Sequence, residues 1–466
     1  MNRLGCVCIR LISLVAVVQP AGAAAVPNPM VTGPIPANAK PGDPSHDYPF
    51  FATTVDLANQ GYIEEEFFFE GAANRYNTPA LATGSVIDSG HLYRTRMIVR
   101  RPTSQGSFNG TVLMEWLNVT GNYDFDGLWI ASLDHFIRGG YAWIGVSAET
   151  VGIHDPSTGL KAWSPTRYRT LDVTENGRIL DGALCYDIFS QAAQAVRNPK
   201  GVDPMGSLPV KRVIAIGVSG SANRLLIYHN SIYPLGGAFD ALFLVGTSSA
   251  RVLRTDLDIK VFKLVSETDI ATLGQAATRQ PDSDHFRKWE AAGVAHLDLH
   301  EAQGLAPVQA RDLGLGAPPP QGCDLPPFSR IPAHFALNAA YDHLVRWVTQ
   351  NIGPPTAPEI ELVTLGPPVV VARDTYGNAL GGIRLPQHAV PVATNTGVNA
   401  GPGSCRLYGS SQPFDDATLD ALYPGYNIYV IRVMQATDES LWRGFMVPED
   451  AVETIREAVY SDRRRH

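Results

Sequence analysis

Two stretches, Tyr62–Phe69 (Tyr-Ile-Glu-Glu-Glu-Phe-Phe-Phe) and Tyr93–Arg100 (Tyr-Arg-Thr-Arg-Met-Ile-Val-Arg), alternate in part between apolar and polar positions. Half-exposed antiparallel strands carry that pattern. Short apolar runs follow at Thr111–Leu117, Tyr141–Val146, Arg212–Gly217, Ala241–Val245 and Lys260–Val265. Between several of them lie segments of helical period, Ile179–Val196 and Asn223–Tyr233. Buried strands alternating with helices predict an α/β fold, a mostly parallel sheet with helices on both faces. Residues 334–348 space Phe335, Leu337, Leu344 and Val348 for one more helix on that sheet, stopped by Gly353-Pro354-Pro355. Residues 26–60, rich in Pro, Ala and Gly, read as a loose lead-in, and a loop-rich segment follows residue 353. The chain thus divides into a core over 26–353 and a C-terminal extension over 354–466.

Composition adds little to this picture, whereas charge and the N-terminus add more. With 45% hydrophobic and 18% charged residues the chain is an ordinary globular sequence. Its 37 Lys and Arg against 45 Asp and Glu give −8, which argues against a nucleic-acid partner; Arg463–Arg465 reads as a solvated tail. Residues 1–25 have the parts of a secretory signal: Arg3 and Arg10, the apolar stretch Leu11–Val18, then small residues ending at Ala23 to Ala25. Cleavage leaves no membrane-spanning segment and an exported, periplasmic or extracellular protein. Cys6 and Cys8 precede the apolar stretch, the wrong side for a lipid-anchored product. Three cysteines remain. Cys323 and Cys405, in Gly- and Pro-rich loops, are expected to pair in an oxidising compartment, while Cys185 sits in a helical apolar pattern as a buried thiol.

The strongest chemical signal is Val213-Ile-Ala-Ile-Gly217-Val-Ser219-Gly220-Ser221, followed by helical sequence. A strand turning directly into a helix around a serine strains that residue and exposes its hydroxyl, and the flanking residues must be small for clearance. Ser219 is therefore the candidate nucleophile. A serine hydroxyl needs a base to take its proton, and the base needs a carboxylate to fix its tautomer. Downstream, the run Lys260–Val265 ends in Ser266-Glu267-Thr268-Asp269, and His296 follows Gly293 in a later loop. The expected triad is Ser219, His296 and Asp269, with Glu267 the alternative acid. His285 lies at the far edge of its segment, and His343 lies within the predicted helix. Gly220 supplies one oxyanion donor, and Asn118 or Val119, after the run Thr111–Leu117, supplies the other. Asn122-Tyr-Asp124-Phe-Asp126-Gly127 resembles the start of a calcium loop, but its twelfth position is Leu133, so calcium is rejected. No Cys and His cluster has zinc spacing, and no cofactor is expected.

Taken together, Glu64–Phe68, Phe108–Val112, Glu115–Thr120, Tyr186–Gln191, the Ser219 turn, Ser266–Asp269, Trp289–His296 and Gly381–Pro386 resemble the bacterial α/β-hydrolase-domain proteins with a long C-terminal extension. That group's turn often reads Gly-x-Ser-Gln-Ser; here Gly220 stands where it has Gln. The resemblance implies an α/β-hydrolase fold and an esterase-like activity on a small-molecule ester, and supplies no substrate. A lactonase, an acyltransferase, or a catalytically inactive binding protein on the same scaffold stay open as alternatives. The extension carries apolar residues that need burial, and part of Gly377–Cys405 is expected to line or roof the pocket at the carboxyl edge of the sheet.

Overall fold

The structure, a computed structural model, describes residues 26–316 and 322–460. The expected signal segment 1–25, Cys6, Cys8 and the Arg463–Arg465 run lie outside the described residues. The core is a ten-stranded sheet built from β1 (Met30–Thr32), β2 (Tyr62–Tyr76), β3 (Val86–Pro102), β4 (Thr111–Trp116), β5 (Ala142–Val146), β6 (Lys200–Gly201), β7 (Arg212–Val218), β8 (Ala241–Val245), β9 (Lys260–Ser266) and β10 (Phe286–Ala291). Its order is β10-β9-β8-β7-β4-β5-β3-β2-β1-β6. The strands from β10 to β5 run parallel, and β3 and β2 are antiparallel to their neighbours. After β4 the chain moves outward to β5 and later returns to β7 on the other side of β4. Such a reversal opens a crevice beyond the carboxyl ends of the two strands, where parallel sheets bind their ligands.

The central strands form because each is predominantly apolar and buried on both faces; every residue of β4, β5 and β8 is buried, Glu115 of β4 included. Helices cover them: α1 (Gly127–Arg138), α2 (Cys185–Arg197), α3 (Gly220–Ile227), the short α4 (Glu267–Ala271), α5 (Leu299–Leu313) and α6 (Ala333–Gln350). Helix α2 begins at Cys185, later than the periodicity suggests, after Gly182 at φ +69°. Helix α3 passes into a wider turn over Tyr228–Ile232. Glu115 on β4 is fully buried and accepts from Leu128 N (3.0 Å), Trp129 N (3.1 Å) and Trp143 Nε1 (2.8 Å), which pins the start of α1 to the sheet.

The lead-in is not loose. Tyr48, Phe50 and Phe51 are buried, and Asp312 at the end of α5 accepts from Tyr48 Oη (2.8 Å) and Phe51 N (2.9 Å). This segment covers the face of β2 and β3 that alternation suggested was solvated. Beneath it Arg96 and Arg100 are fully buried; Arg96 pairs with Glu66 (3.0 Å), and Arg100 with Glu64 (2.7 Å) and Asp126. Buried charges persist only when paired in this way.

The extension departs from a loop-rich tail after residue 425, where α7 (Tyr426–Trp442) and α8 (Pro448–Tyr460) pack on each other. Before them it runs along β10: Trp289 Nε1 donates to Pro355 O (2.8 Å), and Ile383 N to Glu290 O (2.7 Å). The edge strand is thereby covered rather than left to pair with another chain. Two further strands, β11 (Ala393–Thr396) and β12 (Ser410–Pro413), form a hairpin. Cys323 and Cys405 form a disulfide with a Cα–Cα distance of 5.4 Å, and Cys185 is free and buried. No helix among the described residues is long and apolar enough to cross a membrane.

Candidate active site

Ser219 stands between β7 and α3 with φ 56° and ψ −117°, a conformation that L-residues adopt only when their surroundings enforce it. Its N–H donates to Val245 O of β8 (2.9 Å). Gly217 is required because a Cβ there would stand 3.0 Å from Ser221 C and 3.1 Å from Ala222 N, where α3 passes over the strand. Ser221, which replaces the usual Gly, is buried; its hydroxyl donates to Val218 O (2.9 Å) and accepts from Val218 N (3.0 Å). It therefore satisfies the backbone of the sharp turn rather than crowding it.

The strand after next carries the candidate acid. Ser266 closes β9 and caps α4 in a reciprocal arrangement: Asp269 N donates to Ser266 Oγ (3.2 Å) and Ser266 N to Asp269 Oδ2 (2.7 Å). The other carboxylate oxygen, Oδ1, lies 2.6 Å from His296 Nδ1. The imidazole is largely shielded and packs on Gly246, where a Cβ would come within 3.1 Å of His296 Cε1. Gly246 also has φ +59°, so only glycine suits both the backbone and the ring. Since Gly246 follows the Val245 carbonyl that accepts from Ser219 N, the candidate nucleophile, base and acid all lie at the carboxyl ends of β7, β8 and β9. Ser219 and His296 are both partly exposed, and neither Ser219 Oγ nor His296 Nε2 has a hydrogen-bond partner among the described residues.

Glu267 faces away from this pair. It is fully buried, accepts from Gly293 N (2.8 Å), and pairs with Arg373 of the extension (2.6 Å). Thr268 between the two acids accepts from His296 N (3.1 Å) and donates to Gly397 O. Leu297 N donates to Leu407 O (2.9 Å). The histidine loop is thus gripped from its core side by α4 and from outside by residues 373–407. Sequence reasoning placed Arg373 in no site, and a lone arginine in a Gly-rich loop carries no signal of its partner.

Near the proposed oxyanion position the loop after β4 lies against the elbow: a Cβ on Gly220 would stand 3.4 Å from Thr120 Oγ1 and 3.9 Å from Asn118 Nδ2. Asn118 is engaged otherwise. Its backbone N–H donates to Phe125 O (3.2 Å) and its side-chain amide to Val218 O (2.8 Å). Asn118 therefore has no backbone donor to offer, whereas Val119 N and Gly220 N have no acceptor among the described residues. Asp124 and Asp126 of the calcium-like run turn inward, to Ser147 and Arg100. His343 binds Gly444 O (2.8 Å), and His285 pairs with Asp258 (3.0 Å) at the sheet edge, both remote from the elbow in the fold. Among the described residues no group of three His, Cys, Asp or Glu is placed to hold a metal.

The buried Lys263 of β9 donates to Gln275 Oε1 (2.7 Å). Burial lowers its ammonium to about 8, and the nearby Asp269 carboxylate opposes that shift.

A family described as Alpha/beta hydrolase domain matches residues 31–456. The chain belongs to this α/β-hydrolase family. The matched span crosses residue 353 without a break, so core and extension fall within one family unit. Curated proteins give no match. Among solved structures, acetyl xylan esterase 1 from Thermoanaerobacterium sp. is 16% identical over 40% of this chain and 49% of its own, with a TM-score of 0.23. An α/β serine hydrolase without a lid from Xanthomonas campestris is 12% identical over 54% of this chain and 97% of its own, TM-score 0.29. The rice cell wall degrading esterase LipA from Xanthomonas oryzae is 10% identical over 40% and 43%, TM-score 0.23. The chain spans about half the length of the first of these or less, and likenesses this weak carry no argument about substrate.

Proposed function

We infer that the protein is an exported serine hydrolase that cleaves a carboxylic ester through an acyl-enzyme. The observation that carries this reading is the 2.6 Å contact of Asp269 with His296 Nδ1, on a ring that packs against the residue following the Ser219 anchor. With Nδ1–H held by the carboxylate, Nε2 is the basic nitrogen. It takes the Ser219 proton as Oγ attacks the ester carbonyl carbon. The carbonyl oxygen gains the charge, and the N–H groups of Gly220 and Val119 are the available donors to it. Collapse expels the alcohol, which receives the proton from His296. Water, deprotonated by the same nitrogen, then releases the acid and restores Ser219. Arg373, Gly397 and Leu407 of the extension hold the histidine loop in place for this chemistry, and the disulfide suits an oxidising compartment.

A fluorophosphonate probe tests this directly. Peptide mapping is expected to place the adduct on Ser219, with labelling abolished in Ser219→Ala and slowed at least a thousandfold in His296→Ala. Hydrolysis of p-nitrophenyl acetate at near wild-type rate by Ser219→Ala sinks the mechanism. A labelled serine elsewhere does so equally.

A further inference from the structure

A cavity of about 570 Å3 lies apart from Ser219, between the starts of α5 and α6 on one side and α7, α8 and segment 387–411 on the other. Its lining includes neither Ser219 nor His296. The volume is that of a small-molecule pocket. Three polar atoms of its lining side chains are buried without a protein partner: His334 Nδ1, Gln387 Oε1 and Ser411 Oγ. Ser411 is only 6% exposed, so its hydroxyl has lost bulk water and gained no protein group in return. Asn395, 4% exposed, uses its carbonyl oxygen for Arg330 N (3.2 Å) and leaves its NH2 group without an acceptor among the described residues.

The chemistry of the lining narrows the occupant. Glu453 and Glu457 stand one turn apart on α8, both line the cavity, and neither has an ion-pair partner among the described residues. Against these two carboxylates the lining sets a single guanidinium, Arg330, so the wall carries net negative charge and disfavours an anion. The His334 imidazole stacks on His300 at 3.8 Å, and burial together with that neighbour lowers its pKa well below the ordinary histidine value, so it is a neutral group. Phe335 and Val433 add apolar walls. Donors (Ser411 O–H, Asn395 N–H) and acceptors (Gln387 C=O, the two carboxylates) thus alternate around apolar faces. Hydroxyl groups on a ring, each of which both donates and accepts, match such a set. We propose that this cavity binds a neutral polyhydroxylated ring compound, roughly one or two sugar units in size, at a site separate from the hydrolytic one.

The test uses the full-length exported protein carrying Ser219→Ala, so that bound compounds are not turned over. Saturation-transfer NMR and calorimetry are run with xylobiose and cellobiose, and with spermidine and benzoate as charged comparators. A disaccharide is expected to bind; Gln387→Leu weakens it about tenfold, and Glu457→Trp, which fills the mouth, removes it. The same two substitutions in the Ser219 enzyme leave fluorophosphonate labelling unchanged, which separates this site from the hydrolytic one. Should Glu457→Trp fail to fold, Gln387→Leu decides alone. Three results overturn the proposal: no saccharide bound up to its solubility limit, the outcome for a cavity that holds only water; affinity unchanged by both substitutions; or spermidine or benzoate bound in preference.

Discussion

Replacing Asp269 by Asn and, separately, Glu267 by Gln sets two buried carboxylates two positions of α4 apart against each other. In Asp269→Asn a single carbonyl oxygen must replace two acceptors, one for Ser266 N at 2.7 Å and one for His296 Nδ1 at 2.6 Å. The cap on α4 is local and keeps the oxygen, so the amide NH2 turns to Nδ1. That forces the proton onto Nε2 and leaves no base toward Ser219. The expected loss in kcat is about 10^3–10^4-fold, or about 4–5 kcal/mol of transition-state stabilisation. Glu267→Gln acts elsewhere: its oxygen can still receive Gly293 N, but its NH2 then faces the Arg373 guanidinium. Breaking this pair is expected to cost about 2–4 kcal/mol of stability, below the upper range for buried pairs because Arg373 is 27% exposed, while kcat falls by less than about tenfold. Steady-state hydrolysis of p-nitrophenyl acetate, paired with urea unfolding of each variant, reads both quantities. A larger kcat loss for Glu267→Gln than for Asp269→Asn, at equal folded fraction, refutes the assignment of the acid.

Gly220→Gln is expected to fold and retain labelling, because a Cβ there meets nothing nearer than 3.4 Å; a collapsed circular-dichroism spectrum would contradict this. Burial holds the His229 imidazole down at about 4, below the value near 6.5 of an unfolded chain. The unfolded state therefore binds the extra proton between these limits, and about 3 kcal/mol of stability present above pH 6.5 is lost on acidification to 4. His229→Asn should flatten that limb of a urea-midpoint-against-pH curve, and an unchanged limb counts against it. Cys405→Ser opens a crosslink spanning 82 positions and is expected to lower stability by up to about 4–5 kcal/mol on chain-entropy grounds. Non-reducing mass mapping should find Cys323 joined to Cys405 and Cys185 unalkylated in the folded state.

The parallel strands β4, β5, β7, β8 and β9 were legible because each is a short, mainly apolar run, and the turn at Ser219 because β7 passes straight into a helix. Strand β10 was not, since Arg287, Lys288 and Glu290 interrupt its apolar pattern; those charges are buried against Asp282, Glu359 and Arg279. Helix α5 was hidden by Gly304 and Pro307, which weaken helical propensity but are tolerated inside it. The ordered lead-in depends on Asp312, more than two hundred residues away, and no local pattern reports such a partner. At the site, the proposed order Ser219, Asp269, His296 rests on position along the chain alone. The partners that favour Asp269 over Glu267 as the proposed acid and Val119 over Asn118 as the proposed donor, Arg373 and the Phe125 carbonyl, leave no local trace in the sequence.

The grip on the histidine loop also sets a timetable. Arg373, Gly397 and Leu407 are translated well after Ser219, Asp269 and His296, and until they arrive Glu267 lacks its Arg373 partner and the loop lacks these outer contacts. A ribosome-bound or translocating chain therefore carries the proposed catalytic residues before it can align them. Competence is acquired last, when the C-terminal part has folded back, and a nascent chain halted before residue 373 should present no labelled serine inside the cell that makes it.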